Sequence, residues 1–151
     1  MEENQNATSL SLTLVREVME TNFFGLIQTT IAFLPLLRKA AHAVVLNVSS
    51  ELGSNTMQAG PNALYHLVAY NTSKAANNSY TIALAQELKG EGIKVNAVTP
   101  GFTTSKMNNY TKGGKSLKEG AEVLLPWALL EKDGPTCMLH LLGLRHDLMN
   151  R

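Results

Sequence analysis

Apolar residues at Leu14, Val15, Val18, Met19, Phe23, Leu26, Ile27, Ile31, Leu34 and Leu37 recur at intervals of three and four, which predicts a long amphipathic helix over 12–39. Pro35 falls in its last turns, where a proline can kink a helix. Asn22 sits on the same stripe between Met19 and Leu26, and a buried amide there needs a partner or a water. Before this helix, residues 1–10 carry no periodic pattern and read as a loose tail. The run Ala43-Val-Val-Leu-Asn-Val-Ser49 is β-branched and almost continuously apolar, the pattern of a parallel strand covered on both faces. Gly, Asn and Pro over 51–67 predict a long loop. A second helix is predicted over 69–88, with Ala76, Tyr80, Ala83, Leu84 and Leu88 on one side and Asn77 and Asn78 weakening it. Gly90 and Gly92 stop that helix, 93–98 is a second strand, and Thr99-Pro-Gly101 ends the strand sharply. A polar loop reaches Lys115, and Ser116-Leu-Lys-Glu119 is a capping box that opens a third helix to about residue 131. Asp133-Gly-Pro135 turns the chain toward a last short strand over 136–142, and 140–151 carries no clear pattern. Helices alternating with short buried strands predict the α/β class, with right-handed crossovers on a parallel sheet.

With 151 residues the chain has room for one domain with a core. A net charge of +1 gives no electrostatic case for nucleic acid or an anionic membrane. Gln28, Thr29, Thr30 and Pro35 interrupt the longest apolar stretches, so no segment reads as a membrane span. The start is acidic and polar, unlike a secretory leader. One cysteine, Cys137, cannot form an internal disulfide, which suits a reducing compartment and gives a cytoplasmic expectation. His42, His66, His140 and His146 lack a paired zinc spacing, so no metal site is expected.

The chemistry-bearing stretch is 69–76. Tyr70 and Lys74, four residues apart, share one face of the second helix. An ammonium beside a phenol favours the phenolate and makes the tyrosine a usable acid or base. On parallel sheets, ligands bind outside the carboxyl ends of the strands. Ser49-Ser50 follow the first strand and Thr99 to Ser105 follow the second, so both clusters fall on that side. Other chemistries fit poorly. Gly114-Lys-Ser116 mimics the end of a phosphate-binding loop, but Asn109 stands where its first glycine belongs. No Gly-x-Ser-x-Gly elbow occurs for a serine hydrolase.

In order along the chain stand Thr21-Asn22-Phe-Phe-Gly25, Leu46-Asn-Val-Ser-Ser50, Tyr70-Asn-Thr-Ser-Lys74 and Ile93-Lys-Val-Asn-Ala-Val-Thr-Pro-Gly101. Together these pieces resemble the short-chain dehydrogenase/reductase family, and Gly120-Ala-Glu-Val with Asp133-Gly-Pro-Thr136 looks like the later part of its carbonyl-reductase-like branch. The resemblance implies the C-terminal part of a Rossmann-type, doubly wound parallel sheet, with two or three strands and flanking helices. It implies an NAD(P)-dependent oxidoreductase that interconverts a small carbonyl compound and an alcohol. Tyr70 would be the acid/base, and Lys74 would lower its pKa and hydrogen-bond the cofactor ribose. Ser50, rather than Ser49, would orient the substrate oxygen, and Asn22 would hold a relay water. Pro100, Gly101, Thr103 and Ser105 would lie around the nicotinamide. Homo-oligomerisation through the helices over 12–39 and 69–88 is also implied.

Departures from the family pattern matter. The interval from Ser50 to Tyr70 is long, and Lys106 follows Ser105 where an acid is common. The Gly-rich turn that would hold the pyrophosphate of NAD or NADP at a helix N-terminus does not occur in this sequence. Its lack sets an alternative beside the enzyme: an N-terminally truncated, non-catalytic remnant acting at most as an interaction module. On either account the first strand should present an unpaired edge beside 43–49.

Overall fold

The computed structural model of the chain describes residues 5–61, 63, 66–141 and 144–147. Its sheet has four strands in the order β1 (Val44–Val48), β2 (Lys94–Val98), β3 (Met138–Leu141) and β4 (Leu144–Asp147). The first three run parallel, with Val44 opposite Lys94 and Ala97 opposite Leu139, while β4 pairs antiparallel with β3. The fold is thus α/β with a three-stranded parallel sheet and flanking helices, as the alternating pattern predicts. The strand β4 lies within a stretch whose sequence shows no pattern.

The first helical stretch is continuous but not uniform. Helix α1 (Leu12–Met19) passes through a π-helical turn over Glu20–Phe24 into α2 (Gly25–Leu37). In that turn the Gly25 N–H bonds the Glu20 carbonyl, five residues back. Each such turn adds a residue and rotates the faces that follow. The simple α-helical stripe read over 12–39 therefore breaks at Thr21 and Asn22. Within the loop read over 51–67 lie a 3-10 turn (Glu51–Gly53) and a one-turn helix, α3 (Asn55–Gln58), capped by Ser50 and Ser54 respectively. Helix α4 (Val68–Leu88) links β1 to β2, and α5 (Leu117–Ala128) links β2 to β3.

Burial centres on β2, where Val95, Asn96, Ala97 and Val98 are at most 1% exposed. Leu84, Ala85 and Leu88 of α4 pack there with Ala43, Ile93 and Cys137. Asn96 is the one amide in this strand centre with no access to water, and it is fully used. Its Nδ2 donates to the Pro135 carbonyl at 3.0 Å, and its Oδ1 accepts from Met138 N–H at 2.9 Å. It therefore clamps the entry of β3 onto β2 and satisfies the cost of its own burial. The strand β1 differs from expectation: Val44, Val45 and Leu46 are half-buried and Val48 is 43% exposed. The cause is its place in the sheet, since β1 pairs only with β2 and no described strand covers its other edge. Beside that edge an open groove of about 550 Å³ runs between α2 and β1.

Two end contacts complete the frame. Arg38, at the end of α2, forms a two-pronged bridge to Glu91 with both bonds at 2.8 Å. Gln5 is buried and caps α4: its backbone carbonyl accepts from Val68 N–H and its Oε1 from Tyr70 N–H. At least at Gln5, the stretch before α1 is anchored on the helix that carries Tyr70. No helix among the described residues is long and apolar enough to cross a membrane.

The capping box of α5 forms as its sequence predicts: Ser116 Oγ accepts from Glu119 N–H, and the Glu119 carboxylate accepts from Ser116 N–H and O–H. Those bonds hold the Glu119 carboxyl below the usual carboxylate range. Ser116→Ala should cost about 1 kcal/mol in urea denaturation at neutral pH. A lowered folded-state pKa means that the carboxylate's contribution is present above the ordinary carboxylate pKa and is lost as pH falls through the lowered value. The gap between Ser116→Ala and the unaltered chain should therefore narrow in acid; a constant gap would show that the carboxylate takes no part in the cap.

Candidate active site

Helix α4 carries two polar rows at helical spacing, and each docks on a different part of the molecule. Ser73, Asn77 and Thr81 form the first row, all buried. Ser73 Oγ accepts from Asn22 Nδ2 at 3.0 Å and donates to the Tyr70 carbonyl at 2.8 Å. Thr81 accepts from Asn47 Nδ2 at 2.8 Å and bonds back to Asn77. This row ties α4 to the π turn at one end and to β1 at the other. It also answers the demand read at Asn22, whose partner is the Ser73 hydroxyl.

Tyr70, Lys74 and Asn78 form the second row, and it grips the end of β1. Lys74 Nζ donates to the Val48 carbonyl at 2.9 Å. Ser49 donates to Asn78 Oδ1 at 2.5 Å. The Ser50 hydroxyl faces that of Tyr70, near enough to favour the phenolate. Three residues on one helix face thus hold three consecutive residues of the strand end. Of the adjacent serines, Ser49 is buried against α4, and Ser50 is the one that meets the phenol. Ser50 also caps the turn that follows, its Oγ accepting from Leu52 N–H at 3.2 Å. That bond uses one of the two lone pairs of Ser50 Oγ and leaves its O–H available to the tyrosine oxygen.

Electrostatics here are governed by burial. Burial pushes the Tyr70 phenol above its ordinary value, and the bond from Ser50 draws it part of the way back. Burial also lowers the Lys74 ammonium below its ordinary value. Lys74 Nζ sits 5.7 Å from the centroid of the Tyr70 ring and makes its hydrogen bond to Val48. In this arrangement desolvation outweighs any lowering of the phenol by the lysine, so at neutral pH Tyr70 holds its proton.

The second cluster lies beyond the end of β2. Gly101 takes a left-handed backbone at φ 76°, which the sharp turn after Pro100 requires. The Pro100 carbonyl accepts from Lys115 Nζ at 3.1 Å, and Thr103 Oγ1 donates to the Gly101 carbonyl at 3.1 Å. Asn108 fastens the rest: its Oδ1 accepts from Ser105 N–H at 2.9 Å and its Nδ2 donates to the Thr103 carbonyl at 2.8 Å. Pro100, Gly101, Thr103 and Ser105 are thus built into one braced loop at the carboxyl ends of the strands, on the same side of the sheet as Ser50. Gly120 lets α5 approach, since a Cβ there would stand 2.8 Å from Thr103 Oγ1. Among the described residues no group of three or more His, Cys, Asp or Glu is placed to hold a metal.

Sequence reasoning missed the partners of these groups. Ser73, Asn77 and Thr81 recur at every fourth position within the helix, a polar period that signals buried bonding rather than weak helix. Gln5 gave no such signal, because its contact with α4 spans more than sixty residues of chain.

The sequence model of the family described as short chain dehydrogenase matches residues 1–115. Human 17-beta-hydroxysteroid dehydrogenase type 2 is 39% identical over 125 residues, which cover 82% of this chain and 27% of that one. The structure of salutaridine reductase from Papaver somniferum superposes with a TM-score of 0.75 at 27% identity, covering 87% of this chain and 56% of that one. An NADPH-bound carbonyl reductase from chicken fatty liver gives a TM-score of 0.76 at 24% identity, over 92% of this chain and 58% of that one. The chain therefore spans less than two thirds of the length of each.

One position tests the packing that holds Ser50. A Cβ at Gly53 would stand 2.8 Å from the Lys74 carbonyl carbon and Cβ, and the helix backbone there cannot retreat. Gly53→Ala should destabilise the chain by about 1–3 kcal/mol in chemical denaturation. An unchanged midpoint would mean that the turn does not rest on α4 at Lys74.

Proposed function

The chain belongs to the short-chain dehydrogenase family, and we propose that it carries the proton-transfer half of an NAD(P)-dependent oxidoreductase interconverting a small carbonyl compound and an alcohol. The observation that carries this reading is the pairing of the Ser50 and Tyr70 hydroxyls, with Lys74 one helical turn further along the same face. A substrate oxygen placed between the two hydroxyls would accept a hydrogen bond from each. In reduction, Tyr70 gives its proton to that oxygen while the carbonyl carbon gains a hydride; in oxidation the phenolate takes the alcohol proton back. A phenol is protonated at neutral pH, and burial raises the pKa of Tyr70 further, so Tyr70 has the proton that reduction needs.

The fit to the coenzyme is uneven. The loop of Pro100, Gly101, Thr103 and Ser105 follows β2 at the same end of the sheet as Ser50, and its hydroxyls and carbonyls are the kinds of donor and acceptor that a nicotinamide carboxamide needs, some of them engaged within the loop. Lys74 uses one of its three N–H groups on Val48 and has two left for a ribose hydroxyl. Among the described residues no Gly-rich turn joins a strand end to a helix N-terminus, so the chain has no evident cradle for a pyrophosphate. A bound coenzyme would supply or accept the hydride. Asn22, engaged with Ser73, would steady the helix behind Tyr70 and offer its amide oxygen to a relay water.

A second reading has its own observation. The outer edge of β1 has no strand partner among the described residues, which favours a non-catalytic chain that acts by pairing with another polypeptide. Leu12, Phe24, Ile31, Phe33 and Leu36 are all exposed along α1, the π turn and α2, apolar surface that supports homo-oligomerisation through this helical stretch.

Fluorescence titration of the purified chain with NADPH, and separately with NADH, tests the first reading. Saturable binding that weakens in Lys74→Ala is the expected result. With a panel of carbonyl substrates, Tyr70→Phe should lower turnover about 10²–10⁴-fold while the coenzyme still binds. A folded, soluble chain that binds neither coenzyme would overturn the enzymatic reading and leave the second.

A further inference from the structure

Asn78 touches neither Tyr70 nor the loop after β2, and the proton chemistry proposed above gives it no part. Its surroundings are nevertheless specific. It is 7% exposed, one turn beyond Lys74 on the face that grips the end of β1. Its Nδ2 donates to the Gly53 carbonyl at 3.3 Å, and its Oδ1 accepts from the Ser49 hydroxyl at 2.5 Å. A carbonyl can only accept, so Nδ2 must face Gly53, and that leaves Oδ1 toward Ser49. Ser49, itself 3% exposed, immediately precedes Ser50, and Gly53 closes the turn that Ser50 caps. One amide therefore holds both ends of the five-residue segment 49–53, whose second residue carries the hydroxyl that meets Tyr70.

We propose that Asn78 is a positioning residue: by bonding Ser49 and Gly53 from helix α4, it fixes the turn that carries Ser50 and so holds the Ser50 hydroxyl against that of Tyr70. The inference rests on reading Ser50 and Tyr70 as the reacting pair. An apolar residue at 78 would leave the Ser49 hydroxyl and the Gly53 carbonyl buried without their partner. The turn could regain bonds only by moving, and Ser50 would move with it. The neighbouring row offers a contrast. Thr81 bonds Asn47 at similar depth in the same helix, yet it meets the middle of β1 and not the turn. Loss of that bond should loosen α4 without displacing Ser50.

The test needs neither coenzyme nor turnover, so it can fail while the enzymatic reading stands, and the reverse. The full chain is labelled with ¹³C at the tyrosine ring carbon that bears oxygen, and Tyr70 is assigned among the four tyrosines by Tyr70→Phe. Its titration is then followed by NMR in the unaltered chain, Ser50→Ala, Asn78→Leu, the Ser50→Ala/Asn78→Leu double variant and Thr81→Val. The cation placed against the Tyr70 ring, Lys74, is present in all of them. The expected result is that Ser50→Ala and Asn78→Leu each raise the titration of Tyr70 by about 0.5 to 1 pH unit, the weight of one hydrogen bond to the phenolate. In the Ser50→Ala background Asn78→Leu should add nothing, and Thr81→Val should leave Tyr70 where it is. If Asn78→Leu does not fold, Ser49→Ala, which removes one of the two bonds, takes its place with the same expectation. The proposal is overturned if Asn78→Leu leaves Tyr70 unmoved while Ser50→Ala shifts it. It is equally overturned if the shift persists undiminished without Ser50, if Thr81→Val moves Tyr70 as far, or if Ser50→Ala has no effect.

Discussion

The structure depends on how helix α4 satisfies the polar side chains it buries. A helix that crosses a parallel sheet ordinarily presents an apolar stripe to it. This one presents Leu84, Ala85 and Leu88 only toward its C-terminal end, and over its first four turns it buries Ser73, Asn77, Asn78 and Thr81 alongside Ala69. Each of those groups would cost free energy if left without a partner, and the bonds they make reach the π turn, β1 and the turn after it. The apolar end fixes where α4 lies on the sheet, and the polar end fixes its rotation and register against the strand end. Rotation is what the chemistry requires, because it decides whether Tyr70 and Ser50 meet.

The sheet sets the opposite limit. Its burial is deepest at β2, and β1 is half open along one edge. The contacts of Lys74, Asn78 and Tyr70 with residues 48–50 therefore do more than position a site, since they also secure the terminus of a strand paired on one side only. Lys74 illustrates the double duty: its ammonium bonds the Val48 carbonyl and also rests against the Tyr70 ring. Loss of that side chain removes a support of β1 together with a cation beside the phenol.

How much of this could be read from the sequence follows from the range of the interactions concerned. The capping box at Ser116 and Glu119, the break at Gly92 and the β-branched runs of β1 and β2 are local, and they lie within a residue or two of their expected places. The π turn went unseen because Thr21 and Asn22 fit an α-helical stripe almost as well, and the added residue is stabilised by contacts with α4. Asn77 and Asn78 looked like poor helix formers, as their propensities say. The tertiary bonds of Asn78 to Ser49 and Gly53, and the bond that Asn77 accepts from Thr81 one turn along the helix, offset that preference. The unpaired edge of β1 follows from the missing neighbouring strands, whereas the half-burial of its faces does not, because an apolar run looks the same whether one face of the strand or both are covered. At the site, spacing alone pairs Tyr70 with Lys74, whereas the Ser50 contact and the bracing by Asn108 and Lys115 depend on how distant loops return to the strand ends.

The protonation states of the site follow from the same burial. Tyr70 and Lys74 are each driven toward the neutral form, the phenol by keeping its proton and the ammonium by a weakened hold on its own. An ordinary tyrosine–lysine pair in water would have its charges compensate one another; here the surroundings discourage both charges at once. The Ser50 hydroxyl favours the phenolate against that burial, and Ser50 is itself held by the turn it caps. A ligand oxygen entering between Ser50 and Tyr70 would compete for the contact between them. The geometry of that turn therefore bears on the acidity of the phenol together with its burial.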